Sequence, residues 1–125
     1  MIIVIEPQSD VPIYTQLTNQ IMEGIARGYL NPGDSLPSVR AFAADLGVNM
    51  HTVNKSYHEL EKKGIIHIIP KSGAVINSPV VTIEVTDQLL KGFKPLIAEA
   101  LVLGLEKEQI QKLVETIVSD LKGES

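Results

Sequence analysis

The sequence contains no cysteine. That excludes disulfides, thiol catalysis and any zinc site built on thiolates. It fits a reducing cytoplasm, which is the expected location. Long apolar runs are also missing. The N-terminal stretch Met1-Ile2-Ile3-Val4-Ile5 stops at Glu6-Pro7 and has no basic segment before it. It is too short for a signal peptide or a membrane span, and a short strand or arm is the expectation. A surplus of basic charge is absent as well: the net charge is −4. Up to Pro79 there are six Lys/Arg and seven Asp/Glu, and from Val80 onward five against eight. The acidity is concentrated in the tail, and the first part is near neutral. Such a domain can still meet a polyanion if its few cations share one face, with weaker phosphate attraction.

Signs of catalysis are missing too. There is no Ser/His/Asp arrangement, no paired acids in a plausible pocket, and no glycine-rich phosphate loop. The hairpin turn Lys71-Ser72-Gly73 lacks the following helix that a phosphate loop needs. Three histidines stand scattered without clustered carboxylates, so neither a metal nor a cofactor is expected. An enzyme is not the expectation. The chain has no internal repeat and no low-complexity segment.

What is present is length, apolar content and periodicity. The 125 residues suit one domain, or a small domain with an appendage, and 44% apolar residues can form a core. Ile13, Leu17, Ile21 and Ile25 recur every fourth residue and predict a helix from Pro12 to Arg27, ended by Gly28. Gly24 is a mild cost within it. The cluster Asn31-Pro32-Gly33-Asp34-Ser35 predicts a turn. Ser38 is a candidate N-cap for a short helix, Val39 to Leu46, closed by Gly47. Only Val48 separates that glycine from Asn49, which can cap a third helix to about Lys63. There Val53, Tyr57 and Leu60 share one face, and Gly64 ends it.

The run Ile65-Ile66-His67-Ile68-Ile69, the turn Pro70-Lys71-Ser72-Gly73 and Ala74-Val75-Ile76 predict a β-hairpin. Asn77 to Val85, with Pro79, reads as a linker, extended around Val80-Val81-Thr82-Ile83. A helix is predicted from about Asp87 to Leu103, with Leu89, Phe93, Leu96, Ile97, Ala100 and Leu101 on its apolar face. Pro95 should kink or split it. A last helix from Glu106 to Lys122 carries the stripe Ile110, Leu113, Val114, Ile117, Val118 and Leu121.

Helix, short helix, tight glycine turn, helix, hairpin is the order of a winged helix-turn-helix. The fold class expected is mainly α with a small β-hairpin. A winged helix-turn-helix (residues 1–78) would be followed by a two-helix C-terminal segment (79–125). The turn at Gly47-Val48 would set the two helices steeply enough for the later one to enter a major groove.

The segment Pro32-Gly33-Asp34-Ser35-Leu36-Pro37-Ser38-Val39-Arg40 is followed by Ala43 to Asn49, Thr52-Val53 and Leu60-Glu61-Lys62-Lys63-Gly64. Together these resemble the GntR family of bacterial regulators over about residues 10 to 78. The short tail is similar to that of the YtrA-type subfamily, which has two helices for dimerisation in place of a large effector domain. The resemblance implies a homodimer that binds double-stranded operator DNA, usually as a repressor. It also implies roles for single residues. Arg40 matches a phosphate-contacting arginine, Thr52 a recognition-helix threonine and Gly73 the wing-tip glycine. Departures from the family pattern are Met50 and Asn54 where arginines are common, apolar Ile68-Ile69 in the wing, and Ala74 in place of a frequent threonine.

The residues expected to face DNA are Arg40, Asn49, Met50, His51, Thr52, Asn54, Lys55 and Tyr57, with Lys71, Ser72 and Gly73 at the wing tip. Asn54 can pair with adenine N6/N7 and Met50 can touch a thymine methyl, which predicts A/T-containing half-sites. Each has a plainer reading. Arg40 can pair with Asp34 or Asp45. Asn49 can be only a cap. His51, Asn54 and Lys55 can form a solvated face, and Tyr57 fits a core residue with a wet hydroxyl. His58 and His67 read as surface or packing residues. Leu89, Phe93, Leu96, Ile97, Leu101, Ile110, Leu113, Val114, Ile117 and Leu121 are expected at a dimer interface, because two short helices cannot cover that surface alone. A winged helix that binds a protein partner rather than DNA is the alternative. The sequence identifies no small-molecule effector.

Overall fold

The computed structural model describes residues 2–124, so Met1 of the expected arm and Ser125 at the end of the tail lie outside the described residues. The element order is α1 (Ile13–Ala26), β1 (Ser35–Leu36), α2 (Val39–Leu46), α3 (Met50–Lys62), β2 (Ile66–Ile69), β3 (Gly73–Ile76), α4 (Ile83–Val102) and α5 (Lys107–Lys122). The chain divides into two compact units, one up to Pro79 and the other from Val80.

In the first unit, α1 contributes Leu17 and Ile21 to the core, α2 Phe42 and Ala43, and α3 Val53, Tyr57 and Leu60. The strands close it with Leu36, Ile66, Ala74 and Ile76. Each buried Leu, Ile, Val or Phe here is stabilised by about 1.5–3 kcal/mol on leaving water, which is why the four-residue apolar spacing of α1 sets the face it presents. One polar contact crosses this core. The hydroxyls of Thr18 on α1 and Ser56 on α3 lie 2.8 Å apart, both buried.

The hairpin β2–β3 forms with His67 opposite Val75 and Ile68 opposite Ala74. It is not alone. β1 pairs antiparallel with β3, Ser35 opposite Val75 and Leu36 opposite Ala74, giving a three-stranded sheet in the order β1-β3-β2. The sequence reading placed only turn and connection here. A strand of two residues is too short to show alternation, and its pairing partner lies far along the chain.

The N-terminal segment is an arm rather than a strand, and α1 holds it with two glutamines. The Gln20 carboxamide accepts from Val4 N–H at 2.8 Å and donates to Val4 C=O at 2.6 Å. Gln16 likewise accepts from Glu6 N–H at 2.8 Å and donates to Glu6 C=O at 3.0 Å. One turn of helix spans about 5–6 Å, close to two residues of extended chain, so two glutamines four apart match alternate arm residues. Ile3 and Ile5 pack against the core.

In the second unit α4 begins at Ile83, four residues before the expected start, because the Thr82 hydroxyl caps the Val85 N–H at 3.1 Å. The β-branched run there had suggested extended chain. Pro95 does not split the helix, which continues to Val102. The carbonyl of Lys91 that loses its usual donor belongs to an exposed residue and can bind water. Neither α4 nor α5 buries a residue. No helix among the described residues is long and apolar enough to cross a membrane.

Candidate nucleic-acid interface

Ser38 caps α2 by accepting from Ala41 N–H at 3.1 Å. Gly47 ends that helix with φ +69, a left-handed conformation that glycine adopts without a Cβ penalty. Asn49 then caps α3, its Oδ1 accepting from His51 N–H at 2.7 Å. Caps at both ends of so short a connection fix how α3 leaves α2.

The buried face of α3 is Val53, Ser56, Tyr57 and Leu60, which leaves Met50, His51, Asn54, Lys55 and His58 exposed on the other side. Met50 is 44% exposed. Thr52 is half-buried, and Asn49 is exposed beside them. Arg40 stands exposed in the first turn of α2 and forms no ion pair with Asp34 or Asp45 among the described residues. An Asp34 oxygen instead accepts from Asn31 N–H at 2.8 Å. The Lys55 ammonium lies 4.0 Å from the centre of the Tyr14 ring, a cation–π contact that draws it toward α1.

Two expected contact residues stand elsewhere. Tyr57 is fully buried, and its hydroxyl donates to the Pro37 carbonyl at 2.6 Å. It is neither a DNA-facing residue nor one with a wet hydroxyl. Its ring packs on Phe42, 6.3 Å between centroids, and burial raises the phenol pKa far above its ordinary value. The i+4 spacing from Val53 puts it on the core face.

Gly73 is not at the wing tip. It is buried as the first residue of β3, with φ +106, and a Cβ there would collide with the Leu36 carbonyl and the Pro37 backbone. Its lack of a side chain admits β1, a strand the sequence did not reveal. The exposed tip is Pro70, Lys71 and Ser72. Ser72 N–H donates to Ile69 C=O at 2.9 Å, closing the turn, and Lys71 holds φ +67, the only positive φ at a non-glycine among the described residues.

His58, read from sequence as a surface or packing residue, has a defined environment. Its Nδ1 lies 2.8 Å from the Asn54 carbonyl. The signal for this is its position four residues after Asn54 on the exposed side of α3. Glu61, by contrast, turns to the sheet, accepting from Ile68 N–H at 2.8 Å with His67 Nδ1 4.0 Å away. No group of three His, Asp or Glu side chains among the described residues is gathered to hold a metal ion.

An exposed, capped helix after a tight turn, backed by a three-stranded wing, is the geometry of a major-groove reader. Comparison with known proteins identifies the family. Residues 13–76 match the profile of the family described as bacterial regulatory proteins, gntR family. The chain is 38% identical over 122 residues to the HTH-type transcriptional repressor YtrA of Bacillus subtilis, covering 95% of this chain and 94% of that protein. A crystal structure described as a transcriptional antiterminator from Listeria monocytogenes superposes with a TM-score of 0.87 at 30% identity, over 98% of this chain and 93% of that one. The GntR-family transcription factor YtrA from Sulfolobus acidocaldarius has a TM-score of 0.63 and 39% identity, over 94% of this chain and 97% of that one. The family and these relatives are regulators, not enzymes. The chain therefore belongs to the GntR family of bacterial regulatory proteins, as a winged-helix DNA-binding transcription regulator of the YtrA type.

Proposed function

We propose that this regulator binds a palindromic operator as a cytoplasmic homodimer and represses transcription. In this reading residues 1–78 hold the DNA and residues 79–125 join the protomers. One observation carries it: α4 and α5 bury nothing within the chain while Leu89, Phe93, Leu96, Leu101, Leu113, Val114 and Ile117 are each 45% exposed or more. So much apolar surface on two helices is covered economically by the same helices of a second copy. Two-fold symmetry then sets two copies of α3 about 34–36 Å apart, one turn of DNA, or a multiple of it, on inverted half-sites. Ile97, Ile110 and Leu121, half-buried already, complete the same faces.

On each half-site Met50, His51 and Asn54 face the base edges, with Thr52 and Asn49 at the helix start. Arg40, Lys55 and Lys71 serve phosphates, with Ser72 beside them on the wing. Asn54 favours adenine and Met50 a thymine methyl, so the half-sites contain A/T pairs. Repression is the activity named for the Bacillus subtilis relative.

Fluorescence anisotropy against the protein's own promoter region, at several salt concentrations, tests the reading. Three cations from each of two protomers give a slope of log K on log salt of about −5. Absence of binding even at low salt would overturn the operator reading and favour a protein-docking winged helix.

A further inference from the structure

The outward face of α3 carries a histidine whose neutral tautomer is set by its neighbour. His58 Nδ1 lies 2.8 Å from the carbonyl oxygen of Asn54, one turn earlier. A carbonyl only accepts, so Nδ1 carries the proton and donates it. In the neutral ring, Nε2 is then a bare acceptor, on the side of the imidazole away from Asn54. The residue is exposed. It follows His51, Asn54 and Lys55 at spacings of seven, four and three, and so shares their stripe.

A phosphate oxygen is also an acceptor, and a neutral His58 repels it. Adding one proton at Nε2 turns that atom into a charged donor and leaves the Nδ1 bond intact. No rotamer change is needed, so the ring is already oriented for the charged contact. The first unit has few cations with which to meet DNA, six Lys/Arg against seven Asp/Glu. It carries Met50 and Asn54 on the face of α3 that would approach the groove. A proton taken up here adds charge beside them.

The surrounding groups leave the decision to the ligand. On α3, Lys55 and Lys62 stand three and four residues from His58, the only cations within one turn of it on that helix. Glu59 is its immediate chain neighbour, half-buried. Glu61 is engaged with Ile68 N–H and lies 4.0 Å from His67 of β2. α1 offers Tyr14, occupied by Lys55, and Glu23, paired with Arg27 at 3.0 Å. α2 offers Arg40 and Asp45. None of these forms an ion pair with His58 among the described residues. A DNA phosphate would be the strongest anion to reach it, and an opposite charge at contact favours the protonated form.

We infer that His58 is a further DNA contact of this regulator, engaging a backbone phosphate through protonated Nε2, so that operator binding takes up a proton. The inference rests on the operator-binding reading above. It is tested by anisotropy titration of the full chain against a duplex from its own promoter region, at constant ionic strength, from about pH 5.5 to 8. The wild type binds about five- to tenfold tighter at the acid end, because the linked proton is costly to add at high pH. His58→Gln binds at the alkaline end like the wild type and loses the dependence. His58→Lys binds tightly throughout. His51→Gln and His67→Gln keep the dependence.

A slope that survives in His58→Gln, or disappears in His51→Gln or His67→Gln instead, overturns the assignment. So does a slope of opposite sign, which would mark Nε2 as an acceptor from a base amino group. Binding with no slope overturns the role of His58 alone, and no binding at any pH overturns the operator reading with it. Circular dichroism melts confirm that the variants are folded.

Discussion

At Tyr57 one side chain joins three parts of the first unit. The ring is buried against Phe42, and the hydroxyl ties α3 to the Pro37 carbonyl between β1 and α2. Tyr57→Phe leaves that carbonyl without its donor and should cost about 1 kcal/mol at neutral pH, read by urea unfolding. Burial also raises the phenol pKa above its ordinary 10.0. Below pH 10 both folded and unfolded forms are neutral and nothing is lost. Above it the unfolded chain ionises while the folded one resists, so stability falls as pH rises from about 10 toward the folded-state value. The Phe variant should lack this alkaline loss, and an identical loss in both proteins would assign it elsewhere. The wing tip carries a different tension. Lys71 holds φ +67, where a side chain costs about 1 kcal/mol relative to glycine. Lys71→Gly should raise the folding stability by that amount. It should also make the salt slope of DNA binding shallower by about two per dimer. A variant that is more stable yet binds with an unchanged slope would remove Lys71 from the interface.

Among the elements, the N-terminal arm depends least on strand pairing and most on side chains. Two carboxamides on α1 replace a neighbouring strand, each satisfying both backbone groups of one arm residue. The double variant Gln16→Ala, Gln20→Ala should release it. Hydrogen exchange at the Val4 and Glu6 amides should rise toward unprotected rates, and stability should fall by about 1–2 kcal/mol. Protection that persists would mean that packing of Ile3 and Ile5 holds the arm unaided. The apolar stripe of α1 was legible because its period is local. The task of its polar face was not, since the bonded partners lie 10 and 16 residues away. The helix-turn-helix itself was legible throughout: Ser38, Gly47 and Asn49 act within three or four residues of their own positions.

For the whole molecule the second unit poses the question of association. A charge placed in the exposed apolar face tests it: Leu113→Glu should weaken self-association at least about 100-fold, read by sedimentation equilibrium. The melting of the first unit should not change, since Leu113 lies outside its core. Operator affinity should fall with the loss of two-point attachment, while the affinity of a single half-site stays constant. A variant that remains associated would show that α4 and α5 pack in some other way.

The sequence by itself determined the helices of the winged helix-turn-helix, their caps, the hairpin and the family. Each of those signals is local, carried by periodicity, by glycines at helix ends and by polar caps a few residues apart. Only the tertiary structure decided that Ser35–Leu36 is a strand, that Gly73 is a buried close approach rather than a tip, that the Tyr57 hydroxyl is bonded to Pro37, and that His58 presents one fixed nitrogen. Three of these depend on contacts between segments distant in the chain, which spacing cannot reveal. The fourth depends on which way one ring turns on a helix already correctly placed. The same α3 therefore has its register from the sequence and its chemistry from the fold.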